Sequence, residues 1–218
     1  MQSLFEYIIS TDNRYNNTIN VDGKELVVNT EITERDYMFV NRIGKIIQVP
    51  VYNNSILKKG DEVIVHHNVF RRWIDQGGNE KNSASFLNEN EYLVSDDQIF
   101  AYKRDNNWTS LPDYCFVSPL YKNDKWALKT DENLFGVLTY SNDGLSSLGV
   151  SIGDVVGFTP DSEYEFEVEG KKLYRILSNH ITINYGRPST KSNISCLKST
   201  NRAGKSYKTK YRFSRIRS

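Results

Sequence analysis

Lys59-Gly60-Asp61-Glu62-Val63-Ile64-Val65 and Ile152-Gly153-Asp154-Val155-Val156-Gly157-Phe158 are the two stretches on which the fold turns. In each, a glycine permits a turn, an aspartate is placed to hydrogen-bond the turn backbone, and a β-branched run follows. Their surroundings match as well. Arg42 to Pro50 (RIGKIIQVP) precedes the first and Leu134 to Tyr140 (LFGVLTY) the second, with Gly136 in the place of Gly44. Glu91 to Tyr102 (EYLVSDDQIFAY) follows the first and Lys172 to Ile183 (KLYRILSNHITI) the second. The offset is 92 residues at the first glycine, 93 at the second, and 82 at the last strand. The shortening has a simple source, because the first copy carries the long polar excursion Arg71 to Asn90. A nearly constant offset across three separated motifs predicts an internal duplication.

Working outward, Leu4 to Ile9 (LFEYII) reads as a short strand, answered by Tyr114 to Pro119 (YCFVSP). Polar stretches rich in Asn, Asp and Gly separate the runs, and no amphipathic helix of useful length is expected. Short strands with Gly and Pro turns at this spacing predict small barrels or sandwiches, so the chain is expected to be all-β. The expected boundaries are a first β domain over 1–104, a linker over 105–112 (DNNWTSLP), a second β domain over 113–186, and a basic tail over 187–218.

This pattern resembles the GroES-like ten-kilodalton co-chaperonins. Val150 to Phe158 is similar to their "VGD-V-F" strand, and Glu165 to Ile183 to their run from a short hairpin to the closing "DILAI". The first copy resembles them through Lys59 to Val65 and Asp97 to Ala101. The resemblance implies two tandem GroES-like small β-barrels, in a family that assembles as rings. It also implies a chaperonin-docking loop between the first two strands, here Asp12 to Asn41. Leu26, Val27 and Val28 stand where that family carries its docking tripeptide, after Asp22-Gly23. The second copy has Trp126-Ala127-Leu128 in a much shorter stretch, so only the first copy is expected to dock. A diverged, tandem, bacteriophage-encoded version fits the Asn-rich composition.

Composition narrows the function classes. Hydrophobic residues make up 38% of the 218-residue chain, and 14 Tyr outnumber 10 Phe. No apolar window approaches the length of a membrane span, and no secretory leader is evident. The two cysteines, Cys115 and Cys196, make no disulfide framework, which suggests a reducing compartment. That compartment is the cytoplasm, or the host cytoplasm for a phage protein. His66-His67 lies in a predicted strand, where neighbours point to opposite faces, so no metal site is expected. Cys115 in an apolar strand reads as a core residue, and Asp161 to Glu169 (DSEYEFEVE) as a half-exposed strand. No nucleophile-base order, phosphate loop or dinucleotide fingerprint is present, so no catalytic residue, cofactor or enzymatic activity is expected.

The net charge of +1 hides an asymmetry. The last 32 residues hold ten of the 28 basic residues and no acidic one, which leaves the first 186 residues with a net charge of −9. Lys198, Arg202, Lys205, Lys208, Lys210, Arg212, Arg215 and Arg217 are interleaved with Tyr207, Tyr211, Phe213 and Ile216. Cations attract phosphates, and rings stack on bases or bury against a partner. Two functions follow as expectations. One is a co-chaperonin-like ring or lid that docks on a chaperonin and assists folding. The other is a virion structural protein, of capsid, neck or tail, whose basic tail grips neighbouring subunits or DNA.

Overall fold

In the computed structural model the described residues are 2–15, 18–21, 24–27, 40–52, 55–121 and 131–187. Residues up to Gly186 form one compact unit. The described residues are all-β apart from one short helix and two single 3-10 turns. The first eleven strands are β1 (Tyr7–Ser10), β2 (Thr18–Val21), β3 (Lys24–Val27), β4 (Ile43–Gln48), β5 (Glu62–Val65), β6 (Arg72–Ile74), β7 (Glu80–Asn82), β8 (Phe86–Asn88), β9 (Glu91–Val94), β10 (Ile99–Arg104) and β11 (Asn107–Ser110). Then follow β12 (Tyr114–Tyr121), β13 (Asp131–Tyr140), α1 (Asp143–Ser147), β14 (Val155–Phe158), β15 (Tyr164–Val168), β16 (Lys171–Leu177) and β17 (Ile181–Gly186).

Two antiparallel sheets carry the fold, with strand orders β8-β9-β1-β4-β5-β10-β11 and β15-β16-β12-β13-β14-β17. Strand for strand the two orders agree, with β11 as the extra edge of the first. The registers agree too. Ile9 pairs with Ile46 and Tyr92, as Val117 pairs with Leu138 and Tyr174. Two of the irregularities coincide, one between Ile8 and Ile9 against Phe116 and Val117, another at Ile99/Ala101 against Ile181/Ile183. Bulges at matching positions bend both sheets in the same places.

The two Gly-Asp turns are built alike. Gly60 and Gly153 have φ of +97° and +93°, where side-chain-bearing residues are strained. Their N–H groups donate to Ile46 O and Leu138 O, both at 2.8 Å. Asp61 Oδ2 accepts from Lys58 N, and Asp154 Oδ2 from Ser151 N, both at 2.9 Å. Gly44 and Gly136 lie opposite Val63 and Val156, so close to the neighbouring strand that an added Cβ would fall 2.8 Å from Ile9 Cδ1 or 2.9 Å from Ser118 O.

Each sheet buries one face in its own core. Tyr7, Ile9, Ile46, Val63, Val65, Tyr92, Val94 and Ile99 fill the first, joined by Phe70. Cys115, Val117, Leu138, Val156, Phe158, Tyr174 and Ile176 fill the second, with Ile181 packed against them. These are the same positions in the two registers, and each fully buried aliphatic or aromatic side chain contributes about 1.5–3 kcal/mol. Neither sheet is a closed barrel: no pairing joins β8 to β11 or β15 to β17 among the described residues. The expectation of small barrels therefore reduces, in the observed hydrogen bonding, to two open antiparallel sheets.

The stretch 105–112, expected to be a linker, contains a strand. Asp105 and Asn106 both take positive φ (51° and 63°), which makes the two-residue hairpin turn between β10 and β11. β11 places Trp108 in a third core with Ile64, Phe100, Phe116, Tyr140, Phe166 and Leu173, which joins the two sheets. Ser110 N donates to Ser141 O at 2.9 Å, continuing the same seam. Between β13 and β14 lies α1, capped by the Asn142 side chain accepting from Leu145 N at 2.9 Å.

Candidate functional site

The connection between β1 and β4 is where the docking loop was expected. It contains the hairpin β2–β3, with Ile19 opposite Leu26 and Thr18 opposite Val27. Leu26 and Val27 thus belong to a paired strand, and Val28 lies outside the described residues. The root of this excursion is well fixed. Tyr15 bridges Val40, and Asn41 N donates to Arg14 O at 2.9 Å. The Asn41 side-chain amide donates to Thr11 Oγ1, Asn13 O and Ile43 O at 2.8 to 3.0 Å, tying both ends of the excursion to the sheet.

Beside it stands a second hairpin, β6–β7, within the excursion read from sequence as polar loop. Its turn is closed by Asp75, whose Oδ1 accepts from Gly77 N and Asn79 N, both at 2.9 Å. Those hydrogen bonds, that of Asn79 first, hold the Asp75 carboxyl below its ordinary pKa. Lys81 Nζ lies 3.6 Å from Asp75 Oδ2, across the ladder. Trp73 and Ile74 on β6 are 47% and 62% exposed.

The roots of the two hairpins are joined. Arg72 N donates to Tyr15 Oη at 2.8 Å, and the Arg72 guanidinium stands 5.3 Å from the Tyr15 ring centre. Arg14 Nε donates to Phe70 O at 3.2 Å. Tyr15, Val40, Val69 and Phe70 are all buried in the first core, so both roots rest on one apolar base.

A different constellation lies at the seam between the sheets. His66 and His67 follow the end of β5, and their rings lie side by side with centroids 4.2 Å apart. This corrects the expectation that they point to opposite faces. The alternation rule applies within a strand, and β5 ends at Val65. Tyr164 stacks on His67 and hydrogen-bonds its Nδ1. Burial, then the neighbouring His66 and Arg42, push His67 down to about 3, and burial also lowers His66. The Arg42 guanidinium sits 4.6 Å from the Phe166 ring, and Arg175 4.6 Å from Phe100, so both cations rest on aromatic faces. The arrangement is that of a packed cationic-aromatic joint between sheets.

Among the described residues no group of three or more His, Cys, Asp or Glu is placed to hold a metal ion. Cys115 is fully buried in the second core, and burial pushes its thiol up to about 12, so it is an inert core residue there. No described helix is long and apolar enough to cross a membrane. The basic residues singled out from sequence, Lys198, Arg202, Lys205, Lys208, Lys210, Arg212, Arg215 and Arg217, all lie outside the described residues. Of the features above, the β6–β7 arm and the seam escaped the sequence reading. The only signal for the arm was Trp73-Ile74 inside an otherwise polar run. No family model and no curated protein matches the chain.

Proposed function

We propose that the chain is a co-chaperonin-like protein: two diverged, tandem GroES-like units that dock on a chaperonin and cover a folding substrate. The observation that supports this reading is the position of the β2–β3 hairpin. It interrupts the path between the first two core strands of one repeat, at the point where the resemblance puts a docking loop, and it carries Leu26 and Val27. The corresponding connection of the second repeat, between β12 and β13, spans only nine residues, 122–130. Docking is therefore assigned to the first repeat alone. A short apolar segment binds weakly by itself, so useful affinity calls for several copies acting together. The exposed Leu4, Phe5, Val51 and Tyr52 form the surface we assign to contacts between copies.

The test is a substrate-refolding assay with a purified chaperonin and ATP. The wild-type chain is expected to raise the yield of refolded substrate, and Leu26→Asp with Val27→Asp to abolish the gain. Equal yields with and without wild-type chain would remove the reading.

The tail favours a second reading, a phage virion structural protein that reuses the same sheets. Ten cations and no acid over 187–218 suit contact with packaged DNA or an acidic neighbouring subunit. It predicts that the chain is found in purified particles and that deleting 187–218 blocks its incorporation. Normal incorporation after that deletion would speak against it.

A further inference from the structure

The β6–β7 hairpin is an oddity on physical grounds. It projects a tryptophan and an isoleucine, both about half exposed or more, from the run Arg71 to Ser85 (RRWIDQGGNEKNSAS), which is otherwise polar apart from Ala84. A loop needed only to connect β5 to β8 has no reason to spend its two large apolar side chains on solvent. The hairpin is also stiffened more than a connector requires. Asp75 organises the turn through backbone donors of Gly77 and Asn79, Gly78 takes the positive φ (+78°) that the turn demands, and Asp75 N donates to Asn79 O at 2.9 Å. Ion pairs run along it, Arg72 with Glu80 at 3.1 Å and Lys81 with Asp75 at 3.6 Å. Exposed ion pairs contribute little to stability, yet here they repeat along a ladder only three residues long. A preorganised arm presenting Trp and Ile is what recognition favours. Tryptophan dominates binding hot spots, and a rigid presenter loses little entropy on docking.

The partner is set by where the arm is anchored. Arg72, the first residue of β6, is hydrogen-bonded through its backbone N–H to Tyr15, the bridging residue at the root of the β2–β3 excursion. Its guanidinium lies over the same ring. Arg14, next in the chain, donates to Phe70 O just before β6. The two arms therefore leave the first repeat from one clamped base, and a body large enough to engage one is in reach of the other.

We infer that β6–β7 is the second arm of a two-armed docking surface. Trp73 and Ile74, consecutive in β6 and so on opposite faces of the hairpin, enter an apolar cleft that grips both faces, on the same partner that receives Leu26 and Val27. This rests on the co-chaperonin reading, and the partner's chemistry follows from the side chains: two separate apolar pockets with a polar rim that accommodates Arg71, Asp75 and Lys81. The second repeat has no counterpart, because its β14–β15 connection is only the five residues 159–163. Docking is then asymmetric along the chain, with both arms on the first repeat.

The experiment measures binding of full-length chain to an immobilised chaperonin in the presence of nucleotide, with hydrogen exchange followed on the same complex. Trp73→Ala with Ile74→Ala is expected to weaken binding by about tenfold or more, with an unchanged melting temperature, since both side chains are exposed. Trp73→Phe with Ile74→Leu is expected to recover most of the loss. In the wild-type complex the amides of 72–82 are expected to exchange more slowly than in free protein. Wild-type binding that the alanine pair leaves unchanged, with unaltered exchange over 72–82, overturns the second arm and spares the reading beneath it. Absence of wild-type binding overturns both.

Discussion

Asp61 and Asp154 close the same turn but face different partners. Besides the turn amide, Asp61 receives a bidentate pair from Arg104, Nε to Oδ1 at 3.0 Å and Nη2 to Oδ2 at 2.6 Å, while Asp154 receives the neutral Asn184 amide at 3.2 Å. Both carboxylates are nearly buried, so removing Asp61 leaves Lys58 N without its acceptor and also takes away the charge-assisted pair with Arg104, which keeps Ile56 O. Asp61→Ala is expected to cost about 2–3 kcal/mol and Asp154→Ala about 1 kcal/mol less, measured by urea unfolding. The glycines beside them give a matched pair: Gly60→Ala and Gly153→Ala each cost about 1–2 kcal/mol through backbone conformation alone, since an added methyl meets nothing within 4 Å. Unequal costs for the two glycines would deny the turns their equivalence. At the seam, His67 is held neutral in the fold, with its pKa near 3 against 6.5 when unfolded. Between those values the unfolded chain binds the additional proton, so stability is full above about pH 6.5 and falls as pH drops toward 3. His67→Gln is expected to flatten that part of the stability profile, and an unaltered slope would exclude His67 as its source.

At the scale of elements, the duplicated motifs were legible because they obey local rules. Gly60-Asp61 and Gly153-Asp154 state a turn by chemistry, and the β-branched runs after them state a strand. Residues related by the offsets found in sequence take equivalent places in the two sheets. What stayed hidden has physical reasons as well. Asp105-Asn106 looks like linker polarity, yet both residues tolerate the left-handed conformation that a two-residue hairpin needs. Trp108 then fills the seam core from a strand that sequence alone marks as polar. Trp108→Ala is expected to cost about 3–5 kcal/mol and to loosen the joint between the sheets. Proteolysis between 104 and 114, absent in wild type, would report it; wild-type resistance kept by the variant would show that β11 does not hold the seam. The joined hairpin roots were invisible in sequence because Tyr15 and Arg72 lie 57 positions apart. Barrel closure was not legible either, since it depends on whether the outer strands meet, which local pattern does not fix.

Over the whole molecule, the contact that joins the two sheets is not repeated at the open end. Phe116 and Tyr140, which face the first sheet, correspond in register to Ile8 and Gln48, and Leu173 to Glu91. Extending the seam in the same way from one molecule to the next would put Gln48 and Glu91 where Tyr140 and Leu173 pack, with only Ile8 apolar in the place of Phe116. The cluster of Leu4, Phe5, Val51 and Tyr52 is exposed, and it is the surface that the co-chaperonin proposal assigns to contacts between copies. The charge distribution adds a constraint. The acidic first 186 residues and the cationic tail would attract one another between copies at low salt, and assembly through the tail would weaken as salt rises. Assembly through the apolar cluster would not. The most direct measurement is the mass distribution of the full chain by mass photometry, alone and mixed with a purified chaperonin and nucleotide. The co-chaperonin account predicts a multimer that persists at high salt and a heavier species carrying both proteins once nucleotide is present. A chain that stays monomeric and leaves the chaperonin peak unshifted contradicts it.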